Sequence, residues 1–380
     1  MRVLLVTHYY PEHRSGIEII AHEIARRLAA RGVEIVWAAS DLGAAADSGD
    51  IRRLPMRTWN VSEQFLGVPY PLWSASSLAR LKREVAHCDL VHIHDSLYLG
   101  NVFAFLCARW QRKPVVVTQH IGLVPYSQRL LRGLMGFANH TLARMVLRHS
   151  DQCVLYARQV EAYFAPFVQF RRPPRFIANG VDAEQFQPPS AAQREKLRRE
   201  LGWPEDRPIL LFVGRFVEKK GLPFLRELAR KWPDASWVCV GWGPLDPRAW
   251  GLANVICAGS LPQREIAAYY QAADVLVLPS VGEGFPLVVQ EALSCGTPAM
   301  IAPETARAVP GIKEVVWVAE LEAEQWLTKL QSATRNREQL AARRQAAAAY
   351  ARQHWDWDAC ANQYLQLFHE LTDSRDARAH

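Results

Sequence analysis

The sequence predicts an α/β protein built from two doubly wound, parallel-sheet domains, and three observations carry that expectation. The chain opens with a β-rich run, an amphipathic helical segment and a second β-rich run. The same alternation starts afresh after a proline-rich, highly charged stretch in mid-chain. Finally, 380 residues exceed the size at which one core keeps growing.

Arg2-Val3-Leu4-Leu5-Val6-Thr7 is the first strand, followed by a polar loop from His8 to Gly16. Between Ile17 and Arg31 the apolar Ile20, Ile24 and Leu28 recur every four residues, so one helical face is buried, and Gly32 stops the helix. Glu34 to Ala38 restarts a strand and completes β-α-β, the opening of a parallel sheet. Leu90–Ile93, Pro114–Thr118, Gln152–Leu155 and Phe176–Ala178 extend it. From Gln187 to Pro208, Pro188-Pro189, a charged helix and Gly202-Trp203-Pro204 read as a connector. Ile209–Val213, Trp237–Val240, Val255–Cys257, Val275–Leu278 and Ala299–Ile301 then form a second sheet, and from Glu320 onward the pattern is helical. The expected division is 1–186, 187–350 and a closing helical segment, 351–380.

Composition excludes several classes. No apolar run approaches the roughly 18 to 20 residues of a membrane span, and Arg2–Val6 is too short for a signal-peptide core, so a cytoplasmic chain is expected. The seven cysteines are scattered, mostly inside apolar runs, and none forms a Cys-x-x-Cys pair; they read as reduced core residues. The net charge of +7 is one-sided: residues 1–186 hold 22 Lys and Arg against 15 Asp and Glu, and the remainder 23 against 23. One half faces something acidic.

The chemistry concentrates after the apolar run Ala273–Pro279. Ser280 to Glu291 reads as a glycine loop and a helix opening at Pro286, whose missing N–H costs nothing there. Free N–H donors of the first turn and the positive dipole end lie beside Gly282 and Gly284, which suits a phosphate. Glu283 and Glu291 are eight residues apart, at most about 12 Å along a helix, too far for the roughly 5 to 9.5 Å of a glycosidase pair. They suit two acceptors gripping hydroxyls at opposite ends of one long ligand.

Gly214-Arg215-Phe216-Val217-Glu218-Lys219-Lys220-Gly221 follows the first strand of domain two, placing Arg215 and Lys220 at the carboxyl edge where open α/β sheets bind ligands. Arg215 can clamp phosphate bidentately and Lys220 acts as a point charge. The loop containing His8 and Gly16 occupies the same position in domain one. Val91-His92-Ile93-His94-Asp95 invites a metal, but no further ligand set is evident and none is expected. His120 ends a strand at another carboxyl edge. Gly241-Trp242-Gly243-Pro244 starts like a dinucleotide fingerprint and lacks its third glycine. Leu123 to Ser150 holds Arg129, Arg132, Arg144 and Arg148 among apolar residues with no acidic one, the pattern of a basic amphipathic helix on an anionic membrane or of a core-packed helix with a solvated face. Nucleic acid is a poor partner, since no binding motif accompanies the charge.

Together these motifs resemble the retaining nucleotide-sugar glycosyltransferases of family 4 (glycosyl transferases group 1), over essentially the whole chain. The most specific match is Glu283-Gly284-Phe285-Pro286-Leu287 through Glu291, similar to the family's glutamate, seven residues, glutamate motif. Gly214-Arg215 with Lys220-Gly221, Asn179-Gly180-Val181-Asp182 with Phe186, and Thr118-x-His120 support it. The resemblance implies the GT-B fold, two Rossmann-like domains facing across a cleft, with the closing helix crossing back to domain one. It implies catalytic roles for His120, Glu283, Arg215 and Lys220. Glu283 would contact donor-sugar hydroxyls, the backbone of Gly284, Phe285, Pro286 and Leu287 would meet sugar and diphosphate, and Glu291 would hold the ribose. Arg215 and Lys220, beside Gly214, would neutralise the diphosphate, and the base would sit near Leu261. Gly16 would approach the donor from domain one, although relatives commonly carry two glycines where this chain has Ser15-Gly16. His120 matches the histidine that reaches the transferred sugar, and His8 and Asp95 fall on the acceptor side.

The implied reaction moves a hexosyl group from a UDP- or GDP-sugar to a hydroxyl of a glycan or lipid-linked acceptor, as in lipopolysaccharide or exopolysaccharide assembly. It needs no cofactor and no metal. Excess charge in domain one suggests a peripheral position on the inner face of the cytoplasmic membrane. The rival readings are a GT-B nucleotide-sugar epimerase, a glycoside phosphorylase, or a sugar-nucleotide-binding module without turnover.

Overall fold

The computed structural model describes residues 1–13, 16–42, 49–59, 70–122, 129–281, 286–309 and 311–379. The chain divides into two compact units, one comprising Met1–Asn179 with Trp357–His380 and the other Gly180–Asp356. The sequence pattern predicts borders at 186/187 and 350/351. The segments between the two sets of borders belong to unit two because they pair with each other. Val181 donates its N–H to Trp355 O at 3.0 Å and bridges to Asp356, while Phe186 is buried in the unit-two core.

Unit one is built on an all-parallel sheet of β1 (Arg2–Val6), β2 (Glu34–Ser40), β3 (Ile51–Met56), β6 (Leu90–His94), β7 (Val115–Gln119), β8 (Gln152–Leu155) and β9 (Arg175–Phe176). The order is β3-β2-β1-β6-β7-β8-β9, and a short antiparallel pair, β4 (Thr58–Trp59) and β5 (Leu72–Trp73), stands apart. Val3 to Val6 and every residue of β6 and β7 are buried, as a parallel sheet covered on both faces requires. β3 has no counterpart in the sequence reading, because Arg52, Arg53 and Pro55 interrupt its apolar pattern. An edge strand tolerates them, and Arg53 lies 4.9 Å over the Tyr10 ring while pairing with Glu12 at 2.8 Å.

The helix Gly16–Ala29 buries Ile20, Ile24 and Leu28. Packed on it is the C-terminal helix Trp357–Ala379, whose Asp358 and Asn362 accept from Arg31 at 2.8 Å each and whose Tyr364, Leu367, Phe368 and Leu371 are buried.

Unit two repeats the architecture with β10 (Ile209–Val213), β11 (Ser236–Val240), β12 (Val255–Gly259), β13 (Val275–Leu278), β14 (Ala299–Ile301) and β15 (Trp317–Val318), all parallel, in the order β12-β11-β10-β13-β14-β15. The stretch from Gln187 to Pro208, whose prolines and charge predict a connector, is a packed part of this unit. Its helix Ala191–Glu200, opened by a Ser190/Gln193 capping box, aims Arg194 and Arg198 at Asp274. Burial pushes the Asp274 carboxyl up, but the two guanidiniums and the Ile209 N–H outweigh it and hold it below the usual carboxylate range. Arg344 closes the cluster on Ala273 O at 2.8 Å.

All seven cysteines are free, six of them buried. Among the described residues no helix is long and apolar enough to cross a membrane.

Candidate functional site

In each sheet the strand order reverses direction once, and the loops leaving the carboxyl ends of the two strands at that point flank the crevice where doubly wound sheets bind ligands. In unit two these strands are β10 and β13; in unit one they are β1 and β6. The candidate residues fall at these two places.

After β10, Gly214 donates its N–H to Val240 O, and Arg215 points into solvent with its guanidinium 4.8 Å over the half-exposed Trp242 ring. A 3₁₀ turn, Glu218–Lys220, and a left-handed Gly221 precede the helix Leu222–Lys231. A Cβ on Gly221 would lie 2.4 Å from Pro279 O, so the loops after β10 and β13 touch here. Val281 N–H donates to Lys219 O at 2.9 Å and fastens them together. Thus the Arg215–Lys220 segment and the start of the loop leading to Glu283 lie side by side. Glu283, Gly284 and Phe285 themselves lie outside the described residues.

Beyond that loop the α-helix is Leu287–Ser294, with Pro286 as its N-cap rather than its first helical residue, since Pro286 has the extended ψ of 129°. Glu291 sits one turn in, partly exposed, and its Oε2 accepts the Tyr270 hydroxyl at 2.7 Å. Burial raises the Glu291 carboxyl to about 7 against the lowering effect of that hydrogen bond. Leu261 lies just beyond β12, half-buried against the unit-two core.

Gly241 and Gly243, the start of the incomplete fingerprint, have a structural role. Both have positive φ, and Cβ atoms there would lie 1.9 Å from Gly214 O and 2.5 Å from Phe216 O. They let the loop after β11 lie directly on the loop that carries Arg215, with Phe216 N–H donating to Trp242 O at 2.7 Å.

In unit one, His8 follows β1 and is buried. Its Nε2 lies 2.9 Å from Glu18 Oε1, and its ring stacks on Tyr98 at 3.8 Å. Gly16 is the exposed first residue of the following helix. Asp95 adopts φ 64° as β6 ends, a strained conformation held by Asn101 Nδ2, which donates to His94 O at 2.6 Å and Asp95 O at 2.8 Å. That turn sends the Asp95 carboxylate inward to accept the His120 N–H at 2.9 Å, and burial raises it to about 6. His120 is 6% exposed, and its Nε2 meets His94 Nδ1 at 2.9 Å. His92 Nε2 pairs with Thr118 Oγ1, which also meets Tyr364 OH.

Burial holds His92 and His120 well below the usual histidine range and takes His94 down to about 3. These are neutral imidazoles, His94 and His120 hydrogen-bonded to each other and His92 to Thr118. Among the described residues no group of three or more His, Cys, Asp and Glu could hold a metal ion.

Glu18, Tyr270 and Trp242 were not singled out from the sequence. Glu18 left a legible trace, a carboxylate in the first turn of the helix that follows the His8 loop. Tyr270 and Trp242 left none, since each meets its partner only across elements.

The basic segment is an α-helix over Arg129–Ala138, a π-helical turn over Asn139–Ala143 and an α-helix over Arg144–His149. Leu130, Leu134 and Phe137, four and three residues apart, share one face and are 88%, 59% and 69% exposed. Arg144 and Arg148 are exposed further along.

Comparison with known proteins gives the family. The family described as Glycosyltransferase Family 4 matches residues 14–185, and Glycosyl transferases group 1 matches residues 193–353. A D-inositol 3-phosphate glycosyltransferase of Thermomonospora curvata is 30% identical, covering 96% of this chain and 92% of its own. The chain belongs to glycosyltransferase family 4. This family 4 chain also resembles sucrose-phosphate synthase from Thermosynechococcus elongatus (TM-score 0.79, 20% identity, 98% of this chain and 100% of that one). Anabaena HepE, solved with UDP and glucose, is similar at TM-score 0.76 and 18% identity over 98% and 100% of the two chains. The fold is GT-B, with two Rossmann-like units, and the activity is glycosyl transfer.

Proposed function

We propose that the chain transfers a hexosyl group from a UDP- or GDP-sugar, with retention and without a metal ion, to a hydroxyl of an anionic or lipid-linked acceptor at a membrane surface. The carrying observation is the junction of the two unit-two loops. Val281 N–H on Lys219 O sets the positive Arg215–Lys220 segment beside the start of the loop leading to Glu283, at the strand-order reversal. A nucleoside diphosphate fits this place. Arg215 and Lys220 meet charge that grows on the departing diphosphate, and the helix starting at Leu287 adds its positive end. Such preorganised charge takes the place of a divalent ion. Glu291 holds the ribose hydroxyls, and Glu283 and His120 contact the sugar. The bond from the anomeric carbon to the diphosphate oxygen breaks as the acceptor oxygen bonds on the same face, and the acceptor's proton passes to the leaving phosphate oxygen. HepE, solved with UDP and glucose, favours uridine as the base.

The acceptor reading rests on the helix Arg129–Ala138. Three large apolar side chains exposed on one face, with arginines beyond them and no acidic residue from Leu123 to Ser150, match an anionic bilayer surface better than water. The inositol phosphate in the name of the Thermomonospora relative also points to an anionic acceptor.

A thermal-shift screen with UDP-, GDP- and ADP-sugars identifies the donor. Transfer that persists in folded Lys220→Ala refutes the donor site, and transfer abolished by EDTA refutes metal independence. Sedimentation with phosphatidylglycerol vesicles at low salt, lost in Leu134→Ser/Phe137→Ser, is the expected membrane result; equal sedimentation of both proteins refutes it.

A further inference from the structure

The ring contact between His94 and His120 contains one proton and one lone pair, because both imidazoles are neutral. Two arrangements satisfy the 2.9 Å distance from His94 Nδ1 to His120 Nε2. In one, His120 Nε2–H donates to His94 Nδ1, which forces the proton of His94 onto its Nε2. That atom is fully buried and has no hydrogen-bond partner among the described residues, so this arrangement strands an N–H donor in the interior. In the other, His94 Nδ1–H donates to His120 Nε2, and His94 Nε2 keeps only an unshared lone pair. Stranded buried N–H groups are the rarer and costlier defect. The second arrangement puts the proton of His120 on Nδ1.

We infer that His94 is a positioning residue: its Nδ1–H holds His120 in the Nδ1-protonated tautomer, so His120 meets the transferred sugar as a hydrogen-bond donor. The identity of that sugar contact rests on the reading proposed above, whereas the tautomer does not. The surroundings hold His94 in place for this task. Its backbone carbonyl accepts from Asn101 at 2.6 Å, and its ring lies 4.5 Å from His92, itself anchored to Thr118. His120 is fixed a second time through its backbone N–H on Asp95. An orientation set from both ends is what a donor aimed at one oxygen needs.

The test is imidazole ¹⁵N NMR of the full-length, histidine-labelled protein, with the His120 signals assigned by their loss in His120→Gln. The expected wild-type spectrum shows His120 protonated at Nδ1 and bare at Nε2. His94→Asn, whose amide N–H can replace Nδ1–H, is expected to keep both the tautomer and most of the transfer rate. His94→Leu is expected to give a tautomer mixture and a kcat about 10- to 100-fold lower. A wild-type spectrum with the proton on Nε2 overturns the inference whatever the rates are, as does a folded His94→Leu that keeps the tautomer and wild-type kcat. The expected spectrum with transfer unaffected by His120→Gln refutes instead the sugar contact.

Discussion

Gly241→Ala tests how the loop carrying Arg215 is held. Gly241 has φ 145°, and its added Cβ would lie 1.9 Å from Gly214 O, 2.9 Å from Gly214 C and 3.1 Å from Phe216 Cε1. Neither backbone can easily withdraw. Gly214 N–H is bonded to Val240 O at 3.0 Å and Gly241 N–H to Gly259 O at 2.8 Å. The positive φ costs about 1–2 kcal/mol and the overpacking about 1–3 kcal/mol, so roughly 2–5 kcal/mol is expected in total. Gly251→Ala is the control, since its left-handed φ of 68° carries a positive-φ cost of its own while, among the described residues, nothing lies within 4 Å of its Cβ. In a unit of this size each kcal/mol moves Tm by roughly 2–4 °C, so Gly241→Ala is expected to melt well below Gly251→Ala. It is also expected to bind UDP more weakly, because Arg215 moves with Gly214. Urea and thermal unfolding, with UDP titration of the folded variants, measure both effects. Equal stability of the two variants, with unchanged UDP affinity, refutes the reasoning.

Asp274→Ala leaves Arg194 and Arg198 without their carboxylate and is expected to cost about 3–5 kcal/mol, read from urea midpoints; a loss under 1 kcal/mol shows the helix Ala191–Glu200 to be a dispensable linker. Acid should weaken unit one. His92, His94 and His120 titrate lower when folded than unfolded, so stability falls as pH drops below about 6.5, by about 1.4 kcal/mol per pH unit for each histidine. Asp95, raised to about 6, takes up its proton earlier in the folded state and offsets about one histidine between pH 4 and 6. A denaturation midpoint that rises from pH 6 to pH 5 contradicts this balance. Glu291, raised to about 7, acts with the opposite sign in unit two, and its contribution is lost as pH rises from about 4.5 through 7. Ribose hydroxyls donating to it favour the carboxylate, so UDP binding near pH 6.5 is expected to release protons, measured by calorimetry in buffers of different ionisation enthalpy; no release removes Glu291 from the ribose site. Tyr270→Phe deletes a hydrogen bond worth about 0.5–1.5 kcal/mol and is expected to weaken UDP binding about 2- to 10-fold at pH 7.

The sheets were legible because parallel strands buried on both faces are continuous apolar runs. Ile209–Val213 and Val275–Leu278 could be located from composition alone, and so could the loops after them. β3 was hidden because its Arg53 is neutralised by Glu12 and stacked on Tyr10, contacts that lie 41 and 43 positions away in the chain. The charged stretch after Pro189 looked like a linker for the same reason. Its arginines have their acceptor, Asp274, on another element. Gly241-Trp242-Gly243 starts like a dinucleotide fingerprint but lacks its third glycine, and the structure gives its glycines the task of admitting a neighbouring loop.

By itself the sequence determined the α/β class, the repetition of the architecture and the carboxyl-edge positions of Arg215, Lys220 and His120, since burial and chain direction follow from local pattern. The tertiary structure alone decided which loops touch, that Glu291 is raised by burial while bonded to Tyr270, and that His94 Nδ1 meets His120 Nε2. Those properties depend on desolvation and on atoms brought together from distant positions, and neither is written in any local stretch of chain.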